Sequence, residues 1–216
     1  MKYRFSKRKR LLCFFIGLAT SGTGVAFSTA PRLGATPISS LPYTLSFIIP
    51  LSLGAWTVIF NILLILLQIA ILKKDFHWRQ LSQLLAVCVF GFFIDLGMYI
   101  AQLYIPENYL LRIVEQLFGC FLLAAGIVCE LIADVTFVPG DGAVKVISQH
   151  WNLNLGKVKM GFDLSSVFLA VVVSFFCLGN IRGVREGTVL SAFLVGFLIK
   201  QLRAPSRVLK RYLVKS

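Results

Sequence analysis

Leu51 to Leu72 holds no charged side chain, and several other uncharged apolar stretches approach or exceed the roughly 18 residues that cross a bilayer. A soluble core would have to bury all of them, and 216 residues enclose too little interior for that. Composition agrees: the chain is 57% hydrophobic and 14% charged, with a mean hydropathy of +0.82. A soluble domain has about 45–50% apolar and about 25% charged residues. Segments that cross lipid must satisfy their own backbone, so the expected class is an all-α polytopic membrane protein.

The net charge of +13 does not indicate nucleic-acid binding, because of where it lies. Six basic residues stand at the N-terminus (Lys2, Arg4, Lys7, Arg8, Lys9, Arg10) and six at the C-terminus (Lys200, Arg203, Arg207, Lys210, Arg211, Lys215). Both clusters abut apolar spans, the pattern of cytoplasmic anchoring on anionic lipid headgroups. The N-terminus begins like a signal peptide, but the apolar run continues to Ala30 without a convincing small-residue cleavage site, so it reads as a retained first helix.

Six spans are predicted: about 11–30, 51–72, 81–105, 112–138, 162–181 and 183–202. The first is rich in small residues, which let membrane helices approach closely. The sixth is the weakest, with only Thr188–Ile199 free of charge. The chain also reads as two similar halves, residues 1–108 and 109–216. Pro37 corresponds to Pro139, Gly54 to Gly156 and Asn61 to Asp163 at an offset of 102, and Gly91 to Gly196 at 105. Between the first two spans of each half lies a broken apolar segment, 31–50 and 139–161, expected to be a short or re-entrant helical element. Ala143–Trp151 is the best helical stretch of the second.

With the N-terminus in the cytoplasm, eighteen of the 22 basic residues fall inside, including Lys73, Lys74 and Arg79 after span two and Lys145, Lys157 and Lys159 after span four. Four fall outside: Arg32, Arg112, Arg182 and Arg185. This bias puts both termini in the cytoplasm. Three spans per half then make the halves antiparallel, an inverted repeat of the kind that many transporters use to alternate between membrane faces.

Thr36-Pro37-Ile38-Ser39-Ser40-Leu41-Pro42-Tyr43 and Leu53-Gly54-Ala55-Trp56 through Asn61 resemble a first-half signature of the YczE/YitT-like bacterial membrane proteins. Val138-Pro139-Gly140-Asp141-Gly142, Leu155-Gly156-Lys157-Val158-Lys159 with Phe162-Asp163, and Gly183-Val184-Arg185-Glu186-Gly187-Thr188 resemble its second-half signatures. The resemblance covers nearly the whole chain. It implies a bacterial cytoplasmic (inner) membrane location and a transporter or exporter role, and it carries no catalytic residues.

Ionisable groups inside spans are costly and usually face a bundle interior or cavity. Asp95, near the middle of span three, is the sharpest candidate for a proton or cation site, against a buried hydrogen-bonded acid. Glu130 and Asp134, four apart, are expected to share a helix face and form a carboxylate pair or a polar entrance. Pro139, Gly140, Asp141 and Gly142 read as a helix start or a gate, with Pro37 its counterpart and Lys145 one turn beyond Asp141. Asn61 and Asp163 occupy matching positions where a substrate site would lie, although Asp163 also fits a cap of span five. Arg185 and Glu186 read as an interfacial anchor or as partners of an intramembrane carboxylate.

No P-loop, complete Gly-x-Gly-x-x-Gly, His-Glu-x-x-His or Gly-x-Ser-x-Gly pattern occurs. His77 and His150 lack metal-ligand spacing, and the five cysteines sit in apolar stretches without Cys-x-x-Cys, as small buried hydrophobes do. No enzyme activity, cofactor, metal or nucleic-acid partner is expected. The sequence points to a small-solute secondary transporter or exporter, with a non-transporting accessory, scaffold or lipid-binding protein as the alternative. At this size a homodimer is a reasonable assembly.

Overall fold

The computed structural model describes residues 7–76, 81–136 and 138–212, with side chains described from 8 to 203 within those ranges apart from that of Asp75. Lys2, Arg4, His77, Arg79 and Lys215 lie outside the described residues, as do the side chains of Lys7, Arg207, Lys210 and Arg211. Among the described residues eight helices follow one another: α1 (Lys7–Thr29), α2 (Ser40–Ser46), α3 (Leu53–Leu72), α4 (Ser82–Gln102), α5 (Tyr109–Ala133), α6 (Pro139–His150), α7 (Leu155–Leu178) and α8 (Glu186–Tyr212). Single 3-10 turns precede α2 (Pro37–Ser39) and follow α3 (Lys73–Asp75).

Among the described residues five helices are long and apolar enough to cross a membrane: α1, α3, α4, α5 and α7. The sixth expected span is α8, 27 residues long but with charged residues from Lys200 onward. The short elements expected between spans are α2 with its 3-10 turn and α6.

α1 starts at Lys7 rather than 11, and α8 runs to Tyr212, ten residues past the expected 202. Three other boundaries differ from the sequence expectation for a local reason. Span four ends at Ala133, because Asp134 adopts a left-handed backbone (φ 48°) that stops α5, and Val138-Pro139 already belongs to the start of α6. α6 opens at Pro139 and ends at His150, since proline suits a first helical position whose N–H needs no partner. α7 starts at Leu155, a full two turns before the predicted Phe162. The Asn154 side chain accepts from the Gly156 and Lys157 N–H groups (3.0 and 3.3 Å), and the charges at Lys157 and Lys159 do not interrupt the helix. Gly179, with φ 68°, closes α7.

α1 and α5 cross at the centre. Small residues set their separation: a β-carbon at Gly24 or Gly126 would overlap the α5 or α1 backbone, and one at Gly119 would overlap Ser28 N. In lipid, association rests on such close packing rather than on a hydrophobic drive. α1 also packs on α4, where a β-carbon at Gly97 would lie 2.8 Å from that of Ala26. α5 packs on α8, α3 on α4 and α6, α2 on α3 and α7, and α6 on α7. Leu18, Val25, Ala26, Ile94, Cys120 and Ala124 form the dry interior. Leu66, Phe92, Phe118, Phe168, Phe176 and Phe193 are exposed on the outer faces, as lipid-facing side chains are. Cys88 and Cys177 are on those exposed faces too, so the buried-hydrophobe reading of the cysteines fits Cys120 and, in part, Cys13 and Cys129.

Candidate functional site

The segment after α1 and the segment after α7 meet at one end of the bundle. Pro31 ends α1, Arg32 (φ 63°) and Gly34 (φ 109°) turn the chain, and Gly183 (φ 90°) turns the second segment. Left-handed backbone at Gly34 and Gly183 lets the two strands of chain come together, because a β-carbon there would meet Thr188 Oγ1 or Thr44 Oγ1 at 2.5 Å. Ala35 N–H donates to Gly183 O (3.0 Å) and Gly187 N–H to Leu33 O (2.8 Å). The Thr44 hydroxyl donates to Arg182 O (3.1 Å), and Arg185 Nη1 donates to Arg32 O (3.1 Å). Ser174 Oγ accepts from Arg182 N–H at 2.6 Å and ties the turn back to α7.

This stitching brings Arg32, Arg182 and Arg185 to the wall of a cavity of about 600 Å³. Tyr43, Ser46 and Gln102 add polar groups, and Phe47, Leu53, Met98, Ile105 and Ile181 supply apolar walls. No Asp or Glu lines it. Burial raises the Tyr43 hydroxyl above its usual pKa, and the nearby Arg32 and Arg185 charges oppose that rise. The size is that of a small-molecule site.

Asp95 lies one turn deeper on the α4 face that carries Met98 and Gln102 into the cavity. It works as the cap of a neighbouring helix: Oδ1 accepts from Gly54 N–H (2.7 Å) and Oδ2 from the Ser52 hydroxyl (2.6 Å). Arg185 donates to Glu186 through Nε and Nη2 (3.3 and 3.1 Å), and this pair sits on the cavity rim without an intramembrane carboxylate.

The remaining candidates lie toward the other end. Glu130 is 8% exposed and accepts from the Ser21 hydroxyl at 2.7 Å. Asp134 does not share its face, because the left-handed turn carries it to the surface, where Arg10 meets it at 3.7 Å. Arg10 also donates to the carbonyls of Ala133 (2.8 Å) and Asp134. A cleft of about 20 Å³ separates Glu130 from Asp141, room for about one water molecule. Lys159 Nζ bridges Asp141 (3.4 Å) and Asp163 (3.0 Å), so Asp163 is an inward ion-pair partner two turns inside α7 rather than its cap. Asn61 donates to Thr57 O (2.8 Å) while its Oδ1 is buried without a partner, and no hydrogen bond joins it to Asp163.

Pro37 and Pro139 open their respective elements, and the two tips touch: a β-carbon at Gly140 would collide with the Ile38 side chain. Gly142 leaves room for the buried Gln68 amide, 3.1 Å from where a β-carbon would stand. Gln68 Nε2 in turn donates to Pro139 O (3.1 Å) and approaches Gln83 Oε1 (3.4 Å). Among the described residues no group of His, Cys, Asp and Glu has metal-holding geometry.

The helices, their lipid-facing surfaces and the polar sites enclosed between them define a polytopic α-helical membrane protein. Residues 8–204 match the model of a family of unknown function, DUF6198, and the chain belongs to that family. It is 25% identical over 188 residues to the uncharacterized membrane protein YczE of Bacillus subtilis (strain 168), an alignment covering 87% of this chain and 82% of that protein. The YczE-like resemblance read from the residues is thus shown by the comparison. No solved structure matches.

Proposed function

We propose that this protein is a secondary transporter or exporter of the bacterial inner membrane, moving a small solute by alternating access, with both termini in the cytoplasm. The arginine cavity carries the reading. It is a ligand-sized space at one end of the bundle, walled by chain from both halves and placed at the end that the charge distribution assigns to the outside.

Two further features support inverted repeats. Helix neighbours correspond across the halves: α1 with α4 matches α5 with α8, α3 with α6 matches α7 with α2, and α2 with α3 matches α6 with α7. The short helices meet tip to tip, as interrupted elements do at the repeat junction of such transporters. The correspondence fails in one place. α3 packs on α4 through Gly54 and Gly91, whose would-be β-carbons meet Asp95 Cγ (2.6 Å) and Val58 Cγ2 (2.6 Å). Gly156 and Gly196, their counterparts, meet no part of each other's helix. A fold of two equivalent halves held in unequal arrangements has a second arrangement available, in which the roles exchange.

The test is a distance measurement in lipid nanodiscs between spin labels at Ser46→Cys and Gln102→Cys, on either side of the cavity. Transport by alternating access gives two distance populations whose ratio shifts under imposed ion gradients or added organic anions. One invariant population, with no flux into proteoliposomes, assigns the protein to the accessory or lipid-binding class instead.

A further inference from the structure

We propose that the arginine cavity is a binding site for an amphipathic organic anion, a molecule with a phosphate or carboxylate head and an apolar tail. This names the substrate class of the same cavity and so rests on the transport reading.

The charge balance is the first argument. Arg32, Arg182 and Arg185 come together with no acidic side chain in the cavity wall. The two carboxylates nearby are already engaged, Glu186 by Arg185 and Asp95 by Ser52 and Gly54. Arg182 donates its Nε to Asn180 (3.0 Å), and the Arg32 guanidinium has no partner among the described residues. Like charges gathered in one place repel, and the chain spends backbone hydrogen bonds and three left-handed residues to hold them there. Guanidinium forks match the geometry of carboxylate and phosphate oxygens, so an anion from outside the chain is the group that balances this cluster.

The apolar part of the wall gives the second argument. Phe47, Leu53, Met98, Ile105 and Ile181 are apolar, and Phe47 and Ile181 are 41% and 54% exposed. Ile49 and Leu51, in the segment between Phe47 and Leu53, are exposed apolar side chains as well. An inorganic anion would leave that wall in water, and a neutral apolar molecule would leave the arginines unpaired. A charged head with a tail answers both. A free amphiphile and an anionic lipid headgroup share this chemistry.

The experiment is calorimetric titration of octyl phosphate into the full-length protein in zwitterionic nanodiscs, with octanol and inorganic phosphate as comparison probes. Octyl phosphate is expected to bind at least tenfold more tightly than either. Arg32→Gln should weaken it about tenfold, the loss of one charge-assisted contact, and Arg32→Lys should recover part of that. Arg32 makes no side-chain hydrogen bond or ion pair among the described residues, so the variant tests the ligand rather than the fold. Nanodiscs containing phosphatidylglycerol separate the sources: weaker apparent octyl phosphate affinity assigns the site to a lipid headgroup, and unchanged affinity assigns it to a free amphiphile. Equal affinity for octanol, or no loss in Arg32→Gln combined with Arg182→Gln, overturns the proposal. Spin-label distances that still shift would then leave transport standing without this ligand class. Arginine-dependent binding with one fixed distance would keep the ligand and remove transport.

Discussion

The Asp95 carboxylate on α4 accepts the Gly54 N–H of α3 at 2.7 Å, so one transmembrane helix supplies the N-terminal cap of another. The arrangement satisfies an otherwise orphan donor and places negative charge at the positive end of the α3 dipole. Asp95→Ala should therefore lower stability by about 1–2 kcal/mol, and Asp95→Asn, which keeps one acceptor, by less. Thermal unfolding in detergent would check the order. Equal stability of wild type and Asp95→Ala would remove the capping role, and a changed pH dependence of flux in Asp95→Asn would return Asp95 to the transport pathway.

Gly119 faces the Ser28 backbone at the central crossing of α1 and α5, whereas Gly161 has no atom within 4 Å of an added β-carbon. Gly119→Leu should cost about 3 kcal/mol by forcing the helices apart, while Gly161→Leu should cost under about 1 kcal/mol. The readout is the monodisperse fraction on size exclusion together with the thermal midpoint.

Lys159 holds two carboxylates, so deleting it exposes Asp141 and Asp163 to one another. All three side chains keep some exposure, 38%, 48% and 27%, and solvent screening limits the effect to about 1 kcal/mol for Lys159→Met. Adding Asp141→Asn and Asp163→Asn should restore most of that loss, a coupling measurable in a mutant cycle.

Glu130 gives a separable pair of outcomes. Glu130→Gln keeps an oxygen for the Ser21 hydroxyl and should leave the thermal midpoint nearly unchanged. Glu130→Ala empties a packed position and should cost about 2 kcal/mol. If Glu130 carries the coupling proton, flux in Glu130→Gln becomes independent of pH. Wild-type pH dependence in that variant would exclude it.

Gly156→Cys with Gly196→Cys probes the unequal halves. An intramolecular disulfide that forms only under an imposed gradient traps the exchanged arrangement. An intermolecular one shows that the α7 and α8 faces pair between copies in a homodimer. Gel mobility with and without reductant distinguishes the two, and no cross-link under any condition counts against the exchange.

Five of the six expected spans and the two interposed short helices were legible because crossing length and proline placement are local properties. The cavity was not, because Arg32 and Arg182 come together only through tertiary bonds such as Thr44 to the Arg182 carbonyl. A signal did exist: only four of the 22 basic residues fall in the segments that the charge bias assigns to the outside, and Arg32 and Arg182 each adjoin a proline or glycine turn. Gln68, Gln83 and Gln116 are buried amides inside apolar runs, and counting charges passes over them. Asp134 was misplaced because its facing depends on a left-handed residue, and spacing along the sequence assumes a continuous helix.

The paired backbone bonds from Ala35 to Gly183 and from Gly187 to Leu33 fix a register between two turns far apart in the chain. Such a register tolerates exchanged side chains much better than changed length. One residue added between Gly179 and Glu186 would slide the second turn past the first and carry Arg182 and Arg185 out of step with Arg32. Side-chain changes in the cavity wall should therefore be tolerated where a one-residue insertion in this turn is not.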